Sequence, residues 1–341
     1  MPSRDRTYRL AVIALAALAL GLRFYRIDAP LTDHHYWRQV DTAAMARNFA
    51  EGNLNILHPM LDWQGPHGYA EVEFQLYTWL VAVIYRWVGV HEVWGRLVSV
   101  AFSMAGLWLL FDLARRALSR EAGLGALALG ATAPLAVFFG RSFQPESAMA
   151  SFSMLAIYGA WRHSEEGGLR WFWVSALATS LAILLKLPSL YLGLPLLVLA
   201  WWREGGRFLL RPRWWAFAAI ALVPAALWYP WAHELGKESA AGFSILTGSG
   251  THELFPVGLY GTAQFWLMLG RRWAIDGLAV LGVPLALVGA WRLRAARFGW
   301  LWAWLGAFLL YQPAAALGHG THDYYSLPLW CWRHAALRRR S

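Results

Sequence analysis

Ionisable side chains crowd into one stretch of this sequence, residues 28–75, which begins DAPLTDHHYWRQVDTAAMARNF and ends GYAEVEFQ. Asp33, His34, His35, Arg38, Asp41, Arg47, Asp62, Glu71 and Glu73 all fall there, in a chain that is 58% hydrophobic and only 15% charged. Charged groups beside a bilayer are costly unless they are hydrated or paired, so such a group marks a water-filled site. A carboxylate in that setting can take a proton from an acceptor hydroxyl. Asp41 opens a helix-like run, DTAAMARNFAEG, where it could equally serve as an N-cap accepting a backbone N–H. Asp33, upstream, is its rival as general base; burial and geometry decide between them, and residue types do not.

Three further segments carry chemistry. Arg141 and Glu146 sit in the turn RSFQPES between two apolar runs, as a charge pair that either anchors the chain at the interface or lines the site. Lys186 ends the run LAILLK in a chain whose cations are otherwise arginines, Lys237 excepted; a compact point charge suits a phosphate. His322 and Tyr324, in HDYYSLPL, are candidate hydrogen-bond donors to a phosphate or sugar. His34, His35, His319 and His322 with Asp33 and Asp323 leave a divalent metal possible, but no spacing of known specificity is present, so no metal ligand is assigned. There is no Walker A pattern, and the glycine-rich GLGALALG at 123–130 reads as close helix packing.

The elements that must hold these groups are membrane helices. A soluble chain carries roughly a quarter charged residues; this one has 15% and 23 Trp, the mark of a polytopic all-α membrane protein with aromatic belts. The net charge of +10 comes in short arginine clusters between apolar runs, which gives no continuous groove for nucleic acid. Cys331 is the sole cysteine, so no intrachain disulfide forms. The first run, 8–24, follows Arg4, Arg6 and Arg9; it resembles a signal peptide but is read as a retained helix with a cytoplasmic N-terminus.

Apolar runs follow near 76–90, 93–113, 123–139, 144–161, 171–185, 187–202, 214–231, 256–270, 274–291 and 298–316. If 76–90 does not cross, the clusters at 115–120, 162–170 and 203–213 all fall in the cytoplasm; if it crosses, they fall outside. The positive-inside rule therefore lays 76–90 along the outer interface, and treats 256–270 likewise, although Arg271 and Arg272 argue the other way. Nine spanning helices result, in one domain of 341 residues. Its outer face gathers loop 28–92, turn 140–146, the Lys186 turn, loop 232–273 and 319–325. The closing LPLWCWRHAALRRRS is too short and basic to span comfortably, so either the chain ends there naturally or it is truncated relative to similar proteins.

In order along the chain, the acidic loop with its helix DTAAMARNFAEGN, EF-x-L-Y at 73–77, GRL at 95–97, R-x-x-x-P-E at 141–146, LLKLPSLYLGLPLL around Lys186 and HDYYSLPL at 322–329 resemble the GT-C membrane glycosyltransferases. Within that class the resemblance is specifically to the superfamily of protein O-mannosyltransferases and lipid A aminoarabinose transferases. The resemblance covers nearly the whole chain. It departs at the Asp-Glu pair that often opens the first loop helix, here Asp33-His34 or Asp41-Thr42, and at the second acidic position, here Glu146.

The resemblance implies an inverting glycosyltransferase on the outer face of the cytoplasmic membrane. Its donor would be a sugar on a polyprenyl phosphate, and its acceptor a hydroxyl of a lipid, glycan or protein. Asp41 or Asp33 would be the base, Glu146 would orient a substrate, and Arg38, Arg141 and Lys186 would hold the phosphate. His35, Glu73, His322 and Tyr324 would complete the binding site. A flippase for lipid-linked glycans is the alternative; it calls for internal repeats and charges at the bilayer midplane, and the sequence shows neither.

Overall fold

The structure, a computed structural model, describes residues 2–62, 68–238, 257–272, 274 and 298–314. Among them the chain is a helical bundle whose only β contact is an isolated bridge between Met60 and Tyr69. The helices are α1 (Pro2–Phe24), α2 (Tyr36–Glu51), α3 (Leu76–Val88), α4 (Glu92–Ala117), α5 (Arg120–Thr132), α6 (Pro134–Phe139), α7 (Glu146–Glu166), α8 (Leu169–Leu185), α9 (Gly193–Glu204), α10 (Pro212–Gly236), α11 (Val257–Tyr260), α12 (Ala263–Arg272) and α13 (Gly299–Ala314). Short 3-10 turns at Leu187–Leu192 and Gly205–Leu210 flank α9.

Among the described residues, α1, α4 and α10 are long and apolar enough to cross a bilayer; α3, α8 and α13 are shorter apolar helices. The apolar run at 123–139 is not one helix. Ala133 is extended (φ −61°, ψ 125°) because it precedes Pro134, and the helix restarts there as α6. The run at 187–202 likewise opens as a 3-10 turn carrying Pro188 before α9 begins. The run at 256–270 divides into α11 and α12. At about 1.5 Å per residue, the 13 residues of α3 fall well short of a roughly 30 Å hydrocarbon core.

The bundle is tight where small residues meet. α7 packs on α8 and α4, and α5 on α4. A Cβ at Gly159 would lie 2.9 Å from the Trp171 carbonyl, and one at Gly123 2.8 Å from Arg115 Cβ, so these contacts need glycine. Leu110, Leu127, Met154, Ile157, Ala178 and Trp304 belong to the main core. A second apolar cluster, including Tyr77, Phe139, Phe143, Met149 and Leu185, lies beneath the polar loops. The outer surface of the helices is greasy, with Ile13, Leu177, Leu197 and Leu227 all exposed, as a lipid-facing surface requires.

Charge is sorted to the two ends. One end joins Asp112 to Arg115, Arg116 and Tyr158, Arg162 to Tyr158, Arg120 to Asp5, and Glu204 to Arg211 and Arg213. Arg96 stands near the opposite end of α4 from Asp112, about 24 Å away along the axis. Among the described residues, those singled out for chemistry lie around that second end.

Candidate functional site

Helix α2 begins at Tyr36, not at Asp41. His35 occupies the N-cap position in the left-handed region (φ 57°), and Asp41 sits in the second turn, which removes its N-cap role. The tolerance of histidine for that conformation lets the chain turn sharply into the helix. Tyr36, Trp37 and Val40 are exposed on one side of α2, whereas Gln39, Thr42 and Met45 are buried. Arg38 and Asp41, three apart and so on neighbouring positions of the helix, are both half-buried.

The loop ahead of α3 carries the acidic partners inward. Phe74 N–H donates to the Leu184 carbonyl (3.0 Å), and the Trp228 indole donates to the Val72 carbonyl (3.2 Å). These bonds bring 71–75 against the end of α8 and the side of α10. Glu73 then meets Arg38 at 2.9 Å. Glu71, buried, meets His233 Nδ1 at 3.0 Å. Burial works against the ionised form of Glu73, but the charges of Arg38 and Lys186 outweigh it and hold the carboxyl below its usual range.

α8 stops at Lys186, which is extended (φ −156°, ψ 115°) as the chain enters Leu-Pro. The lysine is buried and does not snorkel; its ammonium lies 2.7 Å from Glu146 Oε1. Glu146 is fully buried in the first turn of α7, and among the described residues no side-chain or backbone donor other than that ammonium reaches its carboxylate. Arg141 and Glu146 are therefore not paired with each other. The helix starts at Glu146 and turns its carboxylate into the bundle, whereas Arg141 Nη1 faces Asp33 Oδ2 at 3.9 Å.

Asp33 is held from three directions: by Arg141, by Arg96 Nη2 at 3.9 Å, and by a short hydrogen bond from the Gln39 amide. Arg96 is itself buried, donating to the carbonyls of Arg26 (2.8 Å) and Pro30 (3.1 Å) so that it gathers the turn after α1. His35 packs its ring near His34 and Phe139. The structure thus brings Arg38, Glu73, Lys186 and Glu146 into one chain of charge, with Asp33, Arg141 and Arg96 as a neighbouring group. His322, Tyr324, His319 and Asp323 lie outside the described residues. Among the described residues no group of three or more His, Cys, Asp or Glu could hold a metal ion.

Residue-by-residue reading overlooked Gln39, Arg96 and His233. Arg96 had a signal, an arginine inside an apolar run; His233 had none, because Glu71 lies 162 residues away, and Gln39 had none, because a neutral amide in a polar loop is inconspicuous and its Phe143 partner lies 104 residues away.

A model of the family described as dolichyl-phosphate-mannose-protein mannosyltransferase matches residues 75–231. No curated protein matches the sequence. The solved structure of ArnT from Cupriavidus metallidurans bound to undecaprenyl phosphate superposes with a TM-score of 0.69 at 16% identity. The match covers 97% of this chain and 60% of that one, so the present chain spans under two thirds of that protein's length. The chain is therefore a polytopic all-α membrane protein that shares the fold of that transferase, and its residues 75–231, from α3 to α10, are similar to the mannosyltransferase family.

Proposed function

We propose that the chain is an inverting glycosyltransferase that moves a sugar from a polyprenyl phosphate to a hydroxyl on the outer face of the cytoplasmic membrane. The observation that carries this reading is the row Arg38–Glu73–Lys186–Glu146, four ionisable groups at one end of a membrane bundle. Buried charges there are expensive and are kept for ions or charged substrates. The matched family and the lipid phosphate bound by the superposed protein support a lipid-linked sugar as that substrate.

In this reading Asp41 is the general base. It lies three residues after Arg38 on α2, the helix that carries the first member of the row, and Asp33, which meets Gln39, Arg96 and Arg141, is its rival for the role. The base takes the proton of the acceptor hydroxyl, the oxygen attacks the anomeric carbon, and the bond from that carbon to the phosphate oxygen breaks. Lys186, Arg38 and Arg141 stabilise the phosphate as it leaves, and Glu146 orients Lys186. One displacement inverts the anomeric centre. No acid is needed at the leaving group, unlike the paired carboxylates of glycosidases.

Asp41→Asn and Asp33→Asn separate the two carboxylates. Asp41→Asn should lower the transfer rate by roughly a hundredfold or more, and Asp33→Asn by less. An Asp41→Asn enzyme working at the normal rate while Asp33→Asn is dead would move the base to Asp33. The acceptor and the sugar are open to a panel of polyprenyl-phosphate sugars. A flippase would move the intact lipid and release no polyprenyl phosphate.

A further inference from the structure

Gln39 is fully buried near the start of α2, yet it carries three polar contacts, to the backbone of His34 and of distant Phe143 and to the carboxylate of Asp33. Its Oε1 accepts from the Phe143 N–H at 3.0 Å. Its Nε2 donates to Asp33 and to the His34 carbonyl at 3.0 Å. The orientation is dictated by the partners: Phe143 N–H needs an acceptor, and the other two groups are acceptors needing a donor. One amide therefore ties α2 both to the loop before it and to the turn that opens α7. Arg38 precedes it and Asp41 follows two residues on, while Glu146 stands three residues after Phe143.

We infer that Gln39 is a positioning residue that fixes the spacing between Arg38 and Asp41 on α2 and the Glu146–Lys186 pair, with Asp33 as the anchor it grips. This rests on the glycosyl-transfer reading. Gln39 touches no reacting atom; it acts by holding two elements in register. A displacement of about 1 Å at a reacting centre costs up to a hundredfold in rate, so the amide's worth lies in kcat. The turn it grips is also pinned from below, since Ser99 Oγ donates to the Ser142 carbonyl at 2.6 Å. With that second tie in place, loss of the Gln39 amide shifts α2 and leaves the turn where it is.

Gln39→Glu tests this. The variant keeps the acceptor for Phe143 N–H but presents an oxygen to Asp33 and to the His34 carbonyl. Two carboxylates so placed repel when both are ionised, and acidification returns one proton to the pair and restores the bridge. Arg96 and Arg141 face Asp33 in wild type and variant alike, Glu92 acts on Arg96 in both, and His34 and His35 follow Asp33 in the chain; Gln39→Met keeps all of these groups and so reports any pH dependence that does not come from the new carboxylate. Release of polyprenyl phosphate from a labelled polyprenyl-phosphate sugar is measured per folded enzyme between pH 5 and 8.

At pH 8 kcat of Gln39→Glu should fall roughly ten- to a hundredfold with KM little changed, and the deficit should shrink as pH falls. Gln39→Met should lose kcat without recovery on acidification. Gln39→Glu combined with Asp33→Asn swaps donor and acceptor and should recover part of the loss. A deficit that is constant with pH, absent, or confined to the yield of folded protein would overturn the inference while leaving the enzyme reading intact. A wild-type chain that releases no polyprenyl phosphate would overturn both.

Discussion

The Lys186–Glu146 pair shows what single residues contribute. Both side chains are buried, and removal of one strands the other's charge in a low-dielectric interior. Lys186→Met should therefore destabilise the protein by about 3 kcal/mol or more, read as a fall in melting temperature in detergent; an unchanged melt would mean that the pair is hydrated. Glu73 behaves differently with pH. Its carboxyl is held below the usual range by Arg38 and Lys186, against the opposing effect of burial. Its contribution to stability is complete above the unfolded-state value near 4.3 and is lost only as pH falls through the lower folded value. Melting temperature should thus be insensitive to Glu73 from pH 8 to about 5, and Glu73→Gln should blunt the loss on further acidification. Sequence named Arg38, Glu73, Glu146 and Lys186, because charge in an apolar chain is conspicuous. It did not reveal who pairs with whom: Arg141 and Glu146 share a turn but point to different partners, since the start of a helix between them sends them apart.

At the scale of elements, the site depends on two close approaches. Gly95 in α4 lies under Phe143, and a Cβ there would stand 1.6 Å from the ring. Phe143 is fully buried, so it has nowhere to move. Gly95→Ala should cost about 1–3 kcal/mol and loosen the turn leading to Glu146. Gly21→Ala in α1, where nothing lies within 4 Å, should be neutral or stabilising by up to about 1 kcal/mol. Equal melting temperatures for the two variants would contradict the account. α2 and α3 form the other approach: Arg86 donates to the Ala50 carbonyl (3.1 Å) and the Gly52 carbonyl (2.6 Å), closing the C-terminal end of α2. Hydropathy located the helices well, because apolar runs need no partner to be seen. It missed the break at Ala133 and the early start of α2. The first is set by the proline that follows, the second by a histidine in the left-handed region whose role only the folded backbone displays.

For the whole molecule, the sorting of charge to two ends is the physical basis of the topology. The arginine clusters at 115–120, 162–170 and 203–213 belong to the end away from the site, so the positive-inside rule predicts a site that faces outward, as the proposed function requires. In a Cys331→Ser background, Asn53→Cys should react with a membrane-impermeant maleimide in intact cells, and Glu165→Cys only after permeabilisation; the reverse pattern would invert the chain. Composition alone gave the membrane class, since 15% charge cannot clothe a soluble surface of this size. The spatial meeting of loop 28–75 with α7, α8 and α10 arises from contacts more than a hundred residues apart, such as Trp228 to Val72, which no local pattern encodes. The most direct measurement is made on the purified chain reconstituted in liposomes with a panel of labelled polyprenyl-phosphate sugars and acceptors. Sugar should appear on a hydroxyl acceptor with inverted anomeric configuration, in step with free polyprenyl phosphate, and Asp41→Asn should stop both. Intact sugar lipid crossing the bilayer with no phosphate released would contradict the account.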